Sequence, residues 1–311
     1  MRISFLCPAH NEEENIERCL HNLIQYKRPE DEIIVGLDAC TDNTESIVSS
    51  FKDYFDVNYI KSEKKLGKHG ILQKLIEKSK GDIIVIHDAD WLLAGNKSIA
   101  ILLRYFKDLK IGGIENSFSM TYYDMEKGKG IGYIGDAMCD KFLTEFKKKY
   151  FTTREDGILY VDRNKMNFPF FVNFIRKDLI KTATTVADDI ERVFNILDKG
   201  YKIVILEDEE IPHHVVIYKH IPLEKLYFQK VRGHLARKQI RHTYKYSTNI
   251  KGFYVPMSIF MIRKMLKLRS AKYIMAMFVW MAIGVISYFH ALALYSLKSL
   301  TTEKLWEMRV R

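Results

Sequence analysis

Cysteine is scarce in this 311-residue sequence, and its four copies at positions 7, 19, 40 and 139 are scattered. They form no Cys-x-x-Cys pair and show no zinc-finger spacing, so we expect reduced thiols in a cytosolic compartment. Internal repeats, low-complexity tracts and a Walker phosphate loop are also lacking, since Leu66-Gly67-Lys68-His69 has neither the upstream glycine nor the following Ser or Thr. The first apolar stretch, Ile3 to Cys7, is too short for a signal peptide, and none is expected.

Positive charge is concentrated near the C-terminus. Residues 213–272 contain 14 Lys and Arg against one acid, Glu224, whereas the rest of the chain has 35 Lys and Arg and 38 Asp and Glu. A region with this balance favours phosphate, whether in nucleic acid, in lipid headgroups or in a ligand pyrophosphate.

The sequence that follows this basic region indicates a membrane. Residues 273–297 contain no Asp, Glu, Lys or Arg, and as a helix they would be roughly 37 Å long, enough to cross a hydrocarbon core of about 30 Å. Residues 246–272 mix apolar and basic side chains, which is typical of an amphipathic segment on an anionic membrane surface. We expect a membrane-inserted helix, either spanning or interfacial, followed by a short tail at 298–311; a buried core helix is the alternative. The positive-inside bias predicts that residues 1–272 lie on the cytoplasmic face, and no nucleic-acid partner is expected beside a membrane segment.

The first two hundred residues alternate strand and helix patterns. Apolar runs predict strands at residues 3–7, 32–37, 57–60 and 83–86, with amphipathic helices between them. This order implies an α/β fold with a mostly parallel, Rossmann-like central sheet. Ligands of such sheets bind beyond the carboxyl ends of the strands. Polar clusters follow three of these strands, at residues 8–12, 38–42 and 88–90.

Two carboxylates follow the buried strand Ile83 to Ile86. Asp88 and Asp90 are one residue apart, so both side chains can face the same site. Hard oxygen ligands suit Mg²⁺ or Mn²⁺, and Mg²⁺ needs only one or two carboxylates when substrate phosphates complete its shell. The alternative is a polar turn without a metal, in which Asp is common.

Five motifs occur in a fixed order over residues 1–245. They are Pro8-Ala9-His10-Asn11-Glu12-Glu13; Asp38-Ala39-Cys40-Thr41-Asp42-Asn43-Thr44; Gly67-Lys68 with Gly81-Asp82 and Asp88-Ala89-Asp90; Ala187-Asp188-Asp189-Ile190-Glu191 with Gly200-Tyr201-Lys202; and Gln229-Lys230-Val231-Arg232-Gly233. In this order and spacing they resemble the motifs of the family 2 inverting glycosyltransferases, which have the GT-A fold. Leu37 and Gly233 stand where the family pattern has Asp and Trp. The resemblance implies a GT-A catalytic domain over residues 1–245.

The resemblance also implies a donor and a metal site. A nucleotide-diphosphate sugar would contact Pro8, Ala9, Asn11, Glu12, Asp38, Lys68, Asp88, Gln229 and Arg232. A divalent cation, Mn²⁺ or Mg²⁺, would bind Asp88 and Asp90 and neutralise the departing diphosphate, with His213 or His214 as a candidate third ligand. Simpler interpretations exist for some of these residues. Asn11 can cap the first helix, Lys68 can be a solvated lysine, and the paired histidines can be hydrogen-bonding residues.

Asp189 is the candidate general base, because an inverting transfer needs a carboxylate that takes the proton of an acceptor hydroxyl. Asp188 and Glu191 fit a capping box, so the sequence assigns helix capping to Asp188 and catalysis to Asp189. The alternative is that both aspartates only satisfy the helix N-terminus.

The acceptor expected for a membrane-anchored enzyme of this class is a membrane lipid or a lipid-linked glycan. One candidate membrane helix is too few to build a channel for an exported polymer. Two other functions stay open: a polyprenyl-phosphate sugar transferase of the same fold, whose anionic acceptor needs no base, and a membrane-anchored binding module without catalysis.

Overall fold

The computed structural model describes residues 1–115, 130–165, 170–181, 188–216, 220–244 and 254–296. The strands in these ranges are β1 (Ile3–Ala9), β2 (Glu32–Asp38), β3 (Val57–Ser62), β4 (Ile83–Ile86), β5 (Trp91–Ala94), β6 (Ile111–Glu115), β7 (Thr152–Glu155), β8 (Ile158–Val161), β9 (Val172–Arg176), β10 (Lys202–Ile205) and β11 (His213–Val216). The helices are α1 (Ile16–Tyr26), α2 (Thr44–Phe55), α3 (Gly67–Lys78), α4 (Ala100–Tyr105), α5 (Ile131–Tyr150), α6 (Asp188–Asp198), α7 (Leu223–Tyr244), α8 (Val255–Met265) and α9 (Ala271–Ser296). Strand and helix therefore alternate as predicted from β1 to β4, whereas in the described ranges β5 follows β4 directly and β7, β8 and β9 follow one another without an intervening helix.

The central sheet has the strand order β3-β2-β1-β4-β9-β6-β10-β8-β7. β1 pairs in parallel with β2 and β4, and β2 pairs in parallel with β3. β9 runs antiparallel to both β4 and β6, and β6 is parallel to β10. As a result, β1, β2, β3, β4, β6 and β10 all end at one edge of the sheet, which we call the carboxyl edge. The expectation of a mostly parallel sheet is confirmed.

Both faces of this sheet are covered by helices, which explains why the central strands are apolar throughout. In β4, Ile83 and Val85 pack into a core with α1, α2 and α4, whereas Ile84 and Ile86 pack into a second core with α3, α6 and α7. The predicted bounds of β4 agree with the structure.

The first helix begins later than the sequence predicted. Asn11 was expected to cap it, but α1 starts at Ile16. Asn11 instead has a positive φ of 55°, and its Oδ1 accepts a hydrogen bond from the backbone N–H of Thr41 at 2.8 Å. The polar side chain thus ties the loop after β1 to the loop after β2, because both loops meet at the carboxyl edge.

The C-terminal helices pack on the domain. α5, α8 and α9 share a third apolar cluster, and α9 also contacts α7. α9 is long and apolar enough to cross a membrane, and only 17% of its most apolar stretch is buried, so the alternative of a buried core helix is wrong. Residues 245–253 and the expected tail at 298–311 lie outside the described residues.

Candidate active site

Acidic side chains from several strands meet at the carboxyl edge. Asp38 is the last residue of β2, Asp88 follows β4 by two residues, and Glu115 is the last residue of β6. α3 and α6 each lead into a strand that runs toward this edge, so their first turns lie there as well. The topology therefore gathers residues that are far apart in the sequence.

The start of α3 is held by the side chain of Asp38. The buried carboxylate of Asp38 accepts hydrogen bonds from the backbone N–H groups of Leu66 and Gly67, at 2.6 and 2.8 Å. A carboxylate here accepts hydrogen bonds from two N–H groups that have no partner inside the helix. Its negative charge is also stabilised by the positive end of the helix dipole. Gly67 has a φ of 72°, which glycine adopts without the strain that other residues would incur. Asp38 thereby fixes where α3 starts.

The next residue of α3, Lys68, forms an ion pair with Asp88. Its Nζ lies 2.7 Å from Oδ1 and 2.8 Å from Oδ2 of Asp88, and both side chains are largely buried. Lys68 is therefore not the solvated surface lysine that the sequence left open. It supplies a positive charge where the sequence predicts a cation and a diphosphate.

Asp188 and Asp189 open α6 and differ in their environments. The carboxylate of Asp188 pairs with the guanidinium of Arg192, which also donates hydrogen bonds to the carbonyl of Val172 at 3.0 Å and to Oδ1 of Asn173 at 3.1 Å in β9. Burial raises the pKa of Asp188, but the charges of Arg192 and Lys68 outweigh it and hold the pKa below its ordinary value. Asp188 is therefore a buried, permanently ionised partner of an arginine.

Asp189 has the opposite pKa shift. Burial and the neighbouring Asp188 charge raise the pKa of Asp189 to about 6, while Arg192 and Lys68 act in the other direction. Its side chain is partly exposed, and its Oδ1 accepts a hydrogen bond from the backbone N–H of Ile190 at 2.9 Å. A partly exposed carboxyl with a pKa near neutrality has the properties of a general base.

The capping box expected at this helix stays a prediction. The described part of α6 starts at Asp188, whose carboxylate is engaged by Arg192 one turn later. Asp189 accepts a hydrogen bond from the backbone N–H of Ile190 in this first turn. Asp188 thus has a structural role as an ion-pair partner, and the catalytic role of Asp189 stays a prediction.

Glu115 and Lys147 form a buried ion pair that sequence reasoning missed. Glu115 is 1% exposed, and its Oε1 lies 3.1 Å from Nζ of Lys147 in α5. The Lys147 ammonium also lies over the rings of Phe170 and Phe171, at 5.3 and 5.5 Å from their centres. Burial raises the pKa of Glu115 to about 7, Lys147 opposes this, and the charge of Asp189 adds to the increase. The charges of Glu115 and Asp189 therefore affect each other.

The predicted metal ligands offer two carboxylates. Asp88 and Asp90 are both partly exposed at the end of β4, and their hard oxygens suit Mg²⁺ or Mn²⁺. In the described part of the chain, no group of three His, Cys, Asp or Glu side chains is arranged to hold a metal ion. The residues fit a cation that takes its remaining ligands from a diphosphate, which is usual for Mg²⁺.

The two histidines lie on β11, which pairs with the strand that follows Asp90. His213 Nδ1 is 2.9 Å from the carbonyl oxygen of Ile211. The His214 ring is fully buried and packs against the rings of His87 and Trp91, with centres 5.0 and 5.1 Å away. Burial lowers the pKa of both histidines, which keeps them neutral. A ligand role for either one stays a prediction, and His214 is above all a packing residue.

Pro8 and Ala9, expected to contact the donor, lie at the end of β1 beside the end of β2. Ala9 is buried and Pro8 half-buried, and His10 Nδ1 lies 2.6 Å from the carbonyl oxygen of Asp38. Glu12 accepts a hydrogen bond from the side chain of Asn15 at 3.0 Å. The strand pairing and the His10 contact bring Pro8 and Ala9 close to the Asp38 segment, and their contact with a donor stays a prediction.

Gln229 and Arg232 lie on α7. Gln229 is exposed and Arg232 half-buried, and between them Val231 is fully buried in the core that α7 shares with α6. The helix that carries them therefore packs beside the helix that carries Asp189. Their contact with a donor stays a prediction.

The mostly parallel sheet, covered by helices on both faces, has the GT-A fold. The chain belongs to glycosyl transferase family 2, whose family model matches residues 4–175.

Two staphylococcal synthases resemble part of the chain. The poly-beta-1,6-N-acetyl-D-glucosamine synthase of Staphylococcus epidermidis is 29% identical over 112 residues, which is 36% of this chain and 27% of that protein. The synthase of the same name from Staphylococcus aureus strain COL is 28% identical over the same shares. The matched region thus spans about a quarter of these relatives' length.

Solved structures match nearly the whole chain. The mannosyltransferase PcManGT from Pyrobaculum calidifontis, in complex with GDP-Man and Mn²⁺, has a TM-score of 0.54 at 16% identity, over 99% of this chain and 84% of that one. Residues 1–349 of S. aureus TarS, in complex with UDP-GlcNAc, have a TM-score of 0.50 at 14% identity, over 96% and 92%. At these identities the likeness shows the fold.

Proposed function

We propose that this protein transfers a sugar from a nucleotide-diphosphate sugar to a hydroxyl group, with inversion at the anomeric carbon and Asp189 as general base. The acceptor is a membrane lipid or a lipid-linked glycan. The enzyme works at the cytoplasmic face of a membrane, with residues 1–245 as catalytic domain and the helices beyond them as anchor.

The observation that carries this proposal is the first turn of α3. Backbone N–H groups of this turn bind Asp38, its Lys68 binds Asp88, and the charge of Lys68 also acts on Asp188 and Asp189. One helical turn is about 5.4 Å long, and these interactions support a donor side and a base gathered around this single short element. A transfer reaction requires this closeness, because donor and acceptor must meet.

A divalent cation would be held by Asp88 and Asp90. When bound, it would act as a Lewis acid on the leaving diphosphate. Lys68 adds a fixed positive charge beside Asp88, and such a charge stabilises developing negative charge most where water is excluded. The departing nucleoside diphosphate would therefore be stabilised by the ammonium group of Lys68 in addition to the metal.

Asp189 would take the proton of the acceptor hydroxyl. Its pKa of about 6 leaves it ionised at neutral pH, yet basic enough to accept a proton in the transition state. Glu115 forms a buried ion pair with Lys147 and interacts electrostatically with Asp189. We propose that this pair tunes the charge of the base, since it is too deeply buried to touch a donor.

A thermal unfolding screen with nucleotide sugars tests the donor. The full chain is heated with UDP-GlcNAc, GDP-mannose and other nucleotide sugars, each with and without Mn²⁺. A true donor is expected to raise the Tm only together with the metal, and a ligand at a hundred times its Kd adds about 2.7 kcal/mol to stability. The Asp90→Asn variant should lose this shift, whereas Asp178→Asn, an exposed aspartate elsewhere, should keep it.

Donor hydrolysis and transfer test the base. Asp189→Asn is expected to lower kcat by about 10²- to 10⁴-fold, whereas Asp198→Asn, at the exposed end of the same helix, should act like the parent. The anomeric configuration of the product, read by NMR, reports inversion. Unchanged turnover of a polyprenyl phosphate by Asp189→Asn would instead establish the alternative transferase, which needs no base.

A further inference from the structure

We propose that α9 lies in the plane of an anionic membrane surface, with α8 beside it, and does not cross the bilayer. This inference rests on the membrane association in the proposed function and specifies its geometry. It also decides between the spanning and interfacial helices that the sequence left open.

The inner side of α9 is packed against α7. Tyr227 Oη lies 2.6 Å from Nδ1 of His290, and Nε2 of His234 lies 3.2 Å from the carbonyl oxygen of Gly284. Nearer the end of α9, the Lys238 ammonium is 4.6 Å from the centre of the Tyr295 ring. The polar side of α7 is thus in contact with the second half of α9.

The first half of α9 is held by α5 in the same way. Nε1 of Trp280 donates a hydrogen bond to Oδ1 of Asp136 at 2.6 Å. The ammonium of Lys230 lies 3.4 Å from the centre of the Trp280 ring and 3.7 Å from Asp136 Oδ1. Where α5 and α9 approach most closely, a Cβ on Gly135 would be 2.4 Å from the carbonyl oxygen of Ala276.

These contacts are incompatible with a spanning helix. They extend from Ala276 to Tyr295, which is about 28 Å of helix and nearly the full hydrocarbon thickness. A spanning α9 would therefore carry α7 into the hydrocarbon. The basic residues of α7 are Lys225, Lys230, Arg232, Arg237, Lys238 and Arg241. Charged side chains at that depth are strongly disfavoured, so α9 must stay at the surface of the bilayer with its packed side toward the domain.

The outer side of α9 is an exposed apolar stripe. Phe278 is 66% exposed and Phe289 63%. Other exposed members of the stripe are Ile274, Met275, Val285 and Ile286. On α8, Leu266 follows the last turn and is 75% exposed, and Val255, Ile259 and Ile262 are exposed along the helix. This stripe is the side of α9 that the domain leaves uncovered, so it can enter the acyl chains while the packed side of the helix stays with the domain.

The charge of this region identifies the surface it meets. Residues 254–296 contain no Asp or Glu, and their five cations all fall between Arg263 and Lys272, around the turn that joins the two helices. Arg263, Lys267, Arg269 and Lys272 are exposed, while Lys264 pairs with Glu145 of α5. Exposed basic residues beside exposed apolar ones match anionic phospholipid headgroups above acyl chains. A second copy of this chain would bring the same positive charges together and is disfavoured.

Vesicle sedimentation with the full chain tests the association. The chain should bind vesicles of phosphatidylglycerol and phosphatidylcholine at least tenfold more tightly than vesicles of phosphatidylcholine alone. Replacing Phe278 and Phe289 together with Gln should weaken binding at least tenfold, whereas Leu109→Gln, an exposed leucine on another surface, should not. Replacing Arg263, Lys267 and Arg269 with Gln should abolish the preference for anionic lipid, and the same change at Lys74, Lys78 and Lys80 should preserve it.

Cysteine labelling tests the orientation. In a Cys40→Ala background, one cysteine is introduced at Ala271 or at Ser296, the two exposed ends of α9, and the protein is bound to the outside of vesicles. A membrane-impermeant maleimide should label both positions as completely as it does after detergent is added. Protection of the Ser296 position until detergent is added would show a spanning helix and overturn the inference.

Donor hydrolysis separates this inference from the proposed function. A chain that hydrolyses a donor but does not bind vesicles, or that forms a dimer by light scattering in place of binding, overturns the membrane geometry and leaves the transferase standing. A chain that binds vesicles with α9 in the membrane plane but processes no nucleotide sugar overturns the transferase and leaves the membrane geometry standing.

Discussion

The Asp188→Asn variant is expected to keep its activity and to move the acidic limb of its pH–rate profile to lower pH. Asp188 is one of the two main causes of the raised pKa of Asp189, after burial. Removing the charge of Asp188 should therefore lower the pKa of Asp189. Arg192 keeps its hydrogen bonds to Val172 and to Asn173 in β9, which supports the start of α6 in the variant.

The size of the effect follows from the pKa of Asp189. With a pKa of about 6, the carboxyl is roughly 10% ionised at pH 5 and roughly 90% at pH 7, so kcat/KM should rise about tenfold between them in the parent. Loss of the Asp188 charge should therefore move the pKa of Asp189 below 6. Between pH 5 and pH 7 the kcat/KM of the variant should then rise clearly less than the tenfold rise of the parent.

The assay is donor hydrolysis or transfer with saturating Mn²⁺, measured from pH 4.5 to 8.5 on the parent, Asp188→Asn and Asp189→Asn. Thermal unfolding at each pH checks that the variants are folded. The Asp189→Asn enzyme should have no acidic limb above its low residual rate. Loss of activity in Asp188→Asn together with normal activity in Asp189→Asn would refute the reasoning and reverse the two roles.

Three further outcomes follow from the structure. Lys147→Met should destabilise the fold by about 3–5 kcal/mol in urea unfolding, because it leaves the buried carboxyl group of Glu115 without its partner; adding Glu115→Leu should restore most of the loss. Asp90→Asn should raise the Mn²⁺ concentration for half-maximal activity about tenfold or more, since a loss of 1.4 kcal/mol in binding is already tenfold. Gly135→Ala should lower stability by about 1–3 kcal/mol, because its Cβ would press on the backbone of α9.

Each of these outcomes has a matched control. Lys141→Met changes an exposed lysine of the same helix as Lys147 and should be neutral. Asp178→Asn removes an exposed carboxylate far along the chain from Asp90 and should leave the metal requirement unchanged. Gly284→Ala introduces a Cβ into open space on α9 and should be neutral or slightly stabilising. Equal effects in a variant and its control would contradict the structural reason given.

The sequence predicted the carboxyl edge well because strand periodicity and topology rules are local. β4 was predicted with its observed bounds, and the parallel order followed from the alternation of strands with helices. Asp38 and Asp88 were identified as site residues because each follows an apolar strand. The role of Asp38 at the start of α3 was not predicted, since it depends on a loop 28 residues later.

The buried ion pairs could not be read from the sequence. Glu115 ends a short apolar run, which is a weak signal, and its partner Lys147 lies 32 residues later on α5. The Asp188 pair with Arg192 has the common i,i+4 spacing, yet the capping-box pattern competed with it and was preferred. Such pairs depend on the tertiary fold, because the fold determines which charged side chains are buried and which of them come into contact.

The connection of four residues between Ser62 and Gly67 acts as a spacer of fixed length. An inserted residue would either bulge out of the connection or shift the register of α3 by one residue, which turns each side chain by about 100° about the helix axis and moves Lys68 away from Asp88. Surface loops ordinarily vary in length without harm, but here such a register shift would break the ion pair between Lys68 and Asp88. Evolution or design can therefore alter the composition of this connection much more freely than its length.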